Sequence, residues 1–373
     1  MKTTIESNNN QLPESGYVLN LDMLKTGDII LERGNSKYSP IISATTGGHY
    51  SHAMIYIEDT IIEATSDGGV FSRVPNRFFV KNKEDLIVLR YKDTIPKYAM
   101  DQLALIPRDL VGSDYSMPEA MKVPLYSKSG VSSEPSGKQF CSRLVAQTYN
   151  GIGIKLVDNY LYCSPNDFLR CKYLIQVENA VKSASREELE HASTGELHPK
   201  HVKCSVQWSR EAKKIFCKNN ITDVQSISDI VRTITSINNK KIDKLINTKL
   251  QESGYLSNYE DDREKNSYRY EIELFLEKYD LIENKDYFLE NEVNKEKYLI
   301  KRYKMCLESY KTLHSLNSTK TVNSLINLYN NLLKIIQERL IIIIEAYESI
   351  DADTKHLNNA ISYLQKVNTT LNK

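Results

Sequence analysis

Little in this sequence marks it for a membrane, for nucleic acid or for a secretory route. Charge of one sign is missing: 49 lysines and arginines stand against 48 aspartates and glutamates in 373 residues. That balance leaves no electrostatic footprint for nucleic acid or an anionic membrane surface. No run approaches the roughly 18–20 apolar residues that span a bilayer. The nearest, LIIIIEAY at 340–347, is short and follows Glu338 and Arg339. The opening MKTTIESNNNQLPESG is polar and lacks the apolar segment of a signal peptide. There is no glycine-rich phosphate loop and no convincing internal repeat. Six cysteines (Cys141, Cys163, Cys171, Cys204, Cys217 and Cys306) fall at irregular spacing, which argues for reduced thiols and against a disulfide framework. These absences predict a cytoplasmic protein, or one exported by a secretion system that reads no signal peptide.

What is present divides into two parts. The length suits two or three domains. Residues 1–20 read as a flexible lead. From 21 to about 92 the pattern is β: GDIILERG, AMIYI, TIIEA, GGVFSRV and LIVLRY are short apolar runs rich in branched residues. Glu58 to Thr60 read as the turn of a hairpin between the second and third runs. Residues 96–111 predict a short helix broken by Pro107. The stretch 126–138 is a loop by composition. FCSRLVAQTYNGIGI then predicts a helix that begins at or near Cys141 and is stopped by Gly151 and Gly153. SPNDFLRC predicts a second helix start, with Ser164 as its cap and Pro165 at its first position. Residues 177–204 are polar and read as a linker. Beyond them, 205–373 reads as an all-helical bundle or coiled-coil-like module, with segments near 206–217, 222–250, 268–280, 293–315 and 321–370. The last carries a long apolar stripe from Val322 to Leu371 with a stutter after Ile336.

The residues that could carry chemistry lie in the first part. A thiol nucleophile needs a lowered pKa, a nearby base and donors for the oxyanion that forms. Cys141 at a helix start meets the first need through the helix dipole and exposed backbone N–H groups. His52, leading a strand, is a candidate base. Glu63, or another polar group on the adjacent strand, could accept a hydrogen bond from the imidazole and fix its tautomer. Each has a bland reading when taken singly: a buried small residue, a strand-end histidine, a paired strand carboxylate. A further motif, HPKHVKC, gives His198, His201 and Cys204 ligand-like spacing, with Cys217 as a fourth. No second tight pair accompanies it, so no metal site is expected.

The ordered set GDIIL, GGHYSHAMIYI, IIEAT, GGVFSRV, LIVLRY and FCSRLVAQTY resembles the circularly permuted branch of the NlpC-type papain-like superfamily. Within it the pattern is most similar to the YiiX-like cysteine hydrolases and more distantly to the lecithin:retinol acyltransferase group. The resemblance covers residues 22–172. It implies an α+β fold for 21–176, a permuted papain-like domain of antiparallel sheet plus helices; the all-α module after it rests on periodicity alone. It implies Cys141 as nucleophile, His52 as general base and Glu63 as the orienting residue. His49, Tyr50, Arg143 and Tyr115 become candidate substrate contacts; Arg143 stands where relatives carry an acidic residue, and the Asp114–Tyr115 order is the reverse of theirs. Gly27 and Asp28 match a structural turn.

The expected activity is attack on an amide or ester carbonyl through an acyl-enzyme. The substrate would be a peptide, another amide or a lipid acyl group, with no cofactor, and the protein would be a possible secreted effector. A protein partner or self-association through 205–373 is expected. The rival expectation is a non-catalytic binding protein that works through its helical module.

Overall fold

The computed structural model describes residues 15–33, 48–126, 136–186, 188–189, 200–350 and 354–372. The expected lead to residue 14, residues 127–135 of the expected loop, and residues 187 and 190–199 of the stretch read as linker lie outside these residues. The chain forms two compact units. The first comprises residues 1–209 and 221–230, and the second residues 210–220 and 231–373.

In the first unit, strand β1 is Tyr17–Leu19 and β2 is Ile29–Glu32. β3, His52–Ile57, and β4, Thr60–Thr65, form the expected hairpin. Its turn places Glu58 (φ 44°) and Asp59 (φ 59°) in the left-handed region, as a two-residue turn requires to match the strand twist. Neither is glycine, and the strain is offset locally. The Tyr56 hydroxyl donates to Asp59 at 2.8 Å, and Glu58 is ion-paired to Arg108 at 2.7 Å. β5 is Gly69–Arg73, β6 is Phe79–Val80 and β7 is Leu86–Tyr91.

Helix α1, Lys97–Asp109, runs through Pro107 rather than breaking there. The proline sits in the last turn, so the one backbone bond it removes lies where the helix is already ending. Short helices α2 (Met117–Met121) and α3 (Val123–Tyr126) precede α4, Cys141–Asn150. α5 is Pro165–Leu169, and its start is the expected one, with Asp167 accepting from the Ser164 backbone N–H at 2.6 Å. β8, Leu174–Gln176, and β9, Val181–Ser183, follow.

A six-stranded sheet has the order β5-β4-β3-β2-β7-β8, and a three-stranded sheet the order β6-β1-β9. All these strand pairs are antiparallel. Alternation along the strands sends Ile29, Leu31, Ala53, Ile55, Ile57 and Ile62 into one core with Leu103, Leu144, Val145 and Tyr149 of α1 and α4. Ile30, Met54, Tyr56, Ile61 and Val88 enter a second core with Leu19, Val80 and Val181 of the small sheet. Both faces of the large sheet are thus covered, which accounts for its nearly continuous apolar runs. Asp28 is bonded to Arg90 through both carboxylate oxygens, at 2.7 and 2.6 Å, so the Gly27–Asp28 turn is structural as expected. The N-terminal fold is α+β, antiparallel sheet plus helices, and the second unit is helical.

The second unit takes in the end of α6 (Lys200–Lys218) and most of α7 (Ile227–Ile237). It continues with α8 (Lys240–Glu252), α9 (Asp261–Lys265), α10 (Ile272–Leu281), α11 (Lys285–Leu316), α12 (Lys320–Ser349) and α13 (Thr354–Leu371). The helix predicted over 222–250 is two helices. Asn238 takes φ 46°, and the Asn239 side chain accepts from the N–H groups of Lys241 and Ile242, so a cap replaces continuity. The helix predicted over 321–370 is likewise two, because α12 ends at Ser349. Residues of both helices, including Leu333, Ile336, Leu340 and Val367, meet in one core with Val293, Ile300 and Leu307 of α11. Among the described residues no helix is long and apolar enough to cross a membrane.

Candidate active site

The site forms where the first residue of α4 meets the first residue of β3. α4 packs on one face of the large sheet through Leu144, Val145 and Tyr149, and the Tyr149 hydroxyl donates to the Gly27 carbonyl. This contact, 122 residues apart in sequence, ties α4 to the start of β2. At the other end of α4, Cys141 is 4 % exposed. Backbone N–H groups of Ser142 and Ala53 and the His52 side chain hydrogen-bond its sulfur.

His52 shares its strand parity with Met54 and Tyr56, so it emerges on the face that carries Glu63 and Arg73. Its Nε2 lies 2.7 Å from Glu63 Oε2. The other carboxylate oxygen, Oε1, is 2.6 Å from Arg73 Nε. The Arg73 guanidinium lies over the Phe78 ring at 4.6 Å. The result is a continuous chain, Cys141–His52–Glu63–Arg73, of alternating acid and base.

The electrostatics follow from this arrangement. Burial alone would lower the pKa of His52, but its hydrogen bonds to Cys141 and then Glu63, with the charges behind them, push it up to about 10. Burial alone would raise the thiol of Cys141. Its contact with His52 and the two backbone N–H groups overcome this and hold it below its ordinary value. The pair therefore favours thiolate and imidazolium. Cys163, equally buried, is pushed up, first by burial and then by Asp167, against the weaker pull of Ser142 and Arg143. The difference lies in the partners: Arg143 and the Ser142 bond do not offset the burial of Cys163, whereas His52 and two backbone N–H groups offset that of Cys141.

Tyr115 also reaches this centre. A parallel bridge joins it to Gln139, and Gln139 N–H donates to the Asp114 carbonyl at 2.9 Å. Burial first, and then the neighbouring Cys141, raise its phenol well above 10. It therefore remains protonated.

The other expected substrate contacts fare differently. Arg143 is 1 % exposed, so it does not meet substrate. Its Nη1 donates to Glu119 Oε2 at 2.9 Å and to the Lys138 carbonyl at 3.0 Å, and its Nε donates to the Leu161 carbonyl at 2.8 Å. The guanidinium is sandwiched by Phe140 and Tyr162 at 4.5 and 5.1 Å. It fastens the segments on either side of Cys141. Its partner Glu119 would be raised by burial, but bonds from Ser136 and Arg143 hold it at about 2. Tyr50 is buried too, and its hydroxyl donates to the Glu84 carbonyl. The Asn166 amide clamps its backbone, accepting from Tyr50 N–H at 3.0 Å and donating to Tyr50 O at 2.6 Å. Tyr50 is a scaffold residue that sets where β3 begins. His49 is exposed and turned to Glu84 and Asp85, with Nε2 3.2 Å from the Glu84 carbonyl.

Sequence reasoning missed Arg73, Glu32 and Asn166. Arg73 and Glu32 become visible only with strand register, because Glu32 lies directly opposite His52 on β2 and Arg73 opposite Ile61 on β4. Burial pushes Glu32 above its ordinary value, which His52 and Arg73 only partly offset. Of the metal-like motif, His198 lies outside the described residues, and His201 approaches the Ser72 carbonyl at 3.4 Å. No group of three potential metal ligands gathers among the described residues.

No curated protein matches the chain. A solved structure titled as that of the metalloprotein yiiX from Escherichia coli O157:H7 aligns over 42 % of this chain and 97 % of its own. The two share 20 % sequence identity at a TM-score of 0.34. Residues 23–166, which contain Cys141, His52 and Glu63, match the family of permuted papain-like amidase enzymes of the YaeF/YiiX type, C92.

Proposed function

We propose that the N-terminal unit is a thiol-dependent amidase in which Cys141 is the nucleophile, His52 the proton carrier and Glu63 the residue that orients it. The observation that carries this reading is the unbroken hydrogen-bonded chain from Cys141 through His52 to Glu63, with the thiol lowered and the imidazole raised.

The thiolate attacks the carbonyl carbon of a peptide or related amide, and the carbonyl π electrons move to oxygen. The Ser142 and Ala53 N–H groups and the Tyr115 hydroxyl are the donors available to the oxyanion. Collapse expels the amine nitrogen, which takes the proton from His52, and leaves a thioester on Cys141. Neutral His52 then removes a proton from water, which attacks the thioester. Collapse releases the acid and restores the thiolate–imidazolium pair. Glu63 holds His52 with one nitrogen toward sulfur throughout, and Arg73 holds Glu63. Water is the acceptor in this reading. Lipid esters, and transfer of the acyl group to another acceptor, are competing readings that rest on the distant resemblance alone.

The test is intact-protein mass spectrometry after iodoacetamide at about pH 6, where an ordinary thiol with pKa near 8.5 is almost wholly protonated. Rapid single labelling that disappears in Cys141→Ala and slows in His52→Ala supports the reading. Slow labelling spread over several cysteines in all three proteins sinks it and favours the binding-protein alternative. A panel of peptide amides and lipid esters then fixes the substrate class.

A further inference from the structure

The chain leaves the first unit after Ser209 and comes back to it for residues 221–230. The returning segment is a stiff turn at the start of α7. Asp229 N–H donates to the Ser226 hydroxyl at 3.0 Å, and Asp229 Oδ2 accepts from the N–H groups of Ser226 and Gln225 at 2.9 and 3.1 Å. This reciprocal cap fixes where α7 begins. Val224, Ser226, Ile227 and Ile230 are buried.

The turn meets the rest of the unit at two glycines. Ile227 N–H donates to the Val111 carbonyl at 2.9 Å. As the first residue of α7, Ile227 has an N–H that the helix itself cannot use. Its side chain lies against Gly112, where a Cβ would stand 2.7 Å from Ile227 Cγ1. At Gly137 a Cβ would stand 2.9 Å from Gln225 Cγ. Both glycines have positive φ, 88° and 75°, so each combines a left-handed backbone with an approach that leaves no room for a side chain.

The two glycines lead into the two arms of one bridge. Gly112 leads into Tyr115, and Gly137 into Gln139 and Cys141. Tyr115 and Gln139 pair in parallel: Gln139 N–H donates to the Asp114 carbonyl at 2.9 Å, and Ser116 N–H to the Gln139 carbonyl at 2.8 Å. β5 holds the first arm as well, since Gly112 N–H donates to the Val70 carbonyl and Val70 N–H to the Ser113 carbonyl. The α7 turn touches both arms. We propose that Gln225 and Ile227 are positioning residues of the amidase, which clamp the Tyr115–Gln139 bridge and so fix the Tyr115 hydroxyl relative to Cys141. The inference rests on the reading of Cys141 as nucleophile and of Tyr115 as a donor to the oxyanion.

The test separates attack by sulfur from support of the oxyanion. Alkylation of Cys141 by iodoacetamide displaces iodide and forms no oxyanion. Acetylation by p-nitrophenyl acetate passes through one and releases p-nitrophenolate. Proline suits the first position of a helix, so Ile227→Pro removes the N–H to Val111 and spares α7. In the full chain, Ile227→Pro should lower p-nitrophenolate release, corrected for Cys141→Ala, by ~10-fold, while iodoacetamide labelling at about pH 6 keeps the wild-type rate. Tyr115→Phe should split the two rates in the same way. Adding Ile227→Pro to it should cost less than about twofold more, because both changes act through one hydroxyl. Ile227→Ala keeps the N–H and trims the contact with Gly112, and should give a smaller loss of acetylation. Wild-type acetylation in Ile227→Pro, or a full further loss on top of Tyr115→Phe, overturns the clamp and leaves the amidase reading standing. Parallel loss of labelling and acetylation overturns it too, since that marks general damage to the centre. If Ile227→Pro does not fold, Ile227→Ala decides, and unchanged acetylation there overturns the proposal. A wild type without rapid labelling of Cys141 sinks the amidase reading itself, and the clamp with it.

Discussion

In the N-terminal unit one buried charge network is built around a histidine, whereas in the helical unit the network is built around arginines. Cys141, His52, Glu63 and Arg73 alternate in sign, and two of the four can exchange a proton near neutral pH. Arg269 with Glu292, and Arg339 with Glu296 and Asp262, also alternate, but there the cations are permanent. Both networks tie elements together. Only the first can change its protonation during a reaction cycle at little cost. A buried ion pair is therefore no sign of chemistry by itself; a titratable member with a nucleophile beside it is.

That contrast can be broken by mutation, and the largest effect belongs to the nucleophile. Cys141→Ala should lower amide hydrolysis by ~10³-fold or more while the urea midpoint stays close to that of the wild type. A large loss of stability would show that Cys141 is a packing residue. In the helical unit, Arg339→Leu should cost about 3–5 kcal/mol, since it strands a buried carboxylate. Chemical denaturation reads this directly, and a neutral result would mean that Glu296 simply takes up a proton.

The pH dependence sharpens the comparison. The competent state of the first network needs thiolate and imidazolium together. It should appear as pH rises through the lowered value of Cys141 and be lost as pH rises through about 10, where His52 gives up its proton. Glu63→Gln removes a group that raises His52, so the falling limb should move down toward 6.5. A profile unmoved by this change would take Glu63 out of the centre. Arg73→Gln leaves Glu63 with a looser hold on His52 and should slow Cys141 labelling by ~10-fold at pH 6 through that positioning, and Arg73→Lys should restore part of it. Smallest is Glu32→Gln. Burial already favours the neutral carboxyl, so hydrolysis should stay within about threefold of the wild type. A loss as large as that of Glu63→Gln would make Glu32 the orienting residue instead.

Much of the catalytic half was legible from residue pattern. The strands β2, β3, β4, β5 and β7 are long enough for alternation and branched residues to show, and the glycines after Asn150 and the Ser164–Pro165 pair mark real helix ends. β1, β6, β8 and β9 have two or three residues each, too few for any period. Cys141, His52 and Glu63 stand out because their types and motif order are distinctive, and the fold brings the three together. Arg73 was not, because its meaning depends on a pairing register no local pattern encodes. Arg143 misled: an arginine beside a nucleophile looks like a substrate contact, and only the surrounding Glu119, Phe140 and Tyr162 show that it faces inward. In the helical half, periodicity revealed the apolar stripe but not the place where it folds back.

The pairing of β1 with β9 has a kinetic side. Tyr17 lies opposite Ser183, so the small sheet joins the first strand of the unit to its last. During synthesis that ladder cannot close until residue 183 has left the ribosome, and the core beneath it, with Val80 and Val181, stays open until then. The helical unit closes over shorter spans, such as that from Asp262 to Arg339. Non-local closure of this kind slows folding, and the nascent N-terminal unit should depend on chaperones for longer than the chain that follows it.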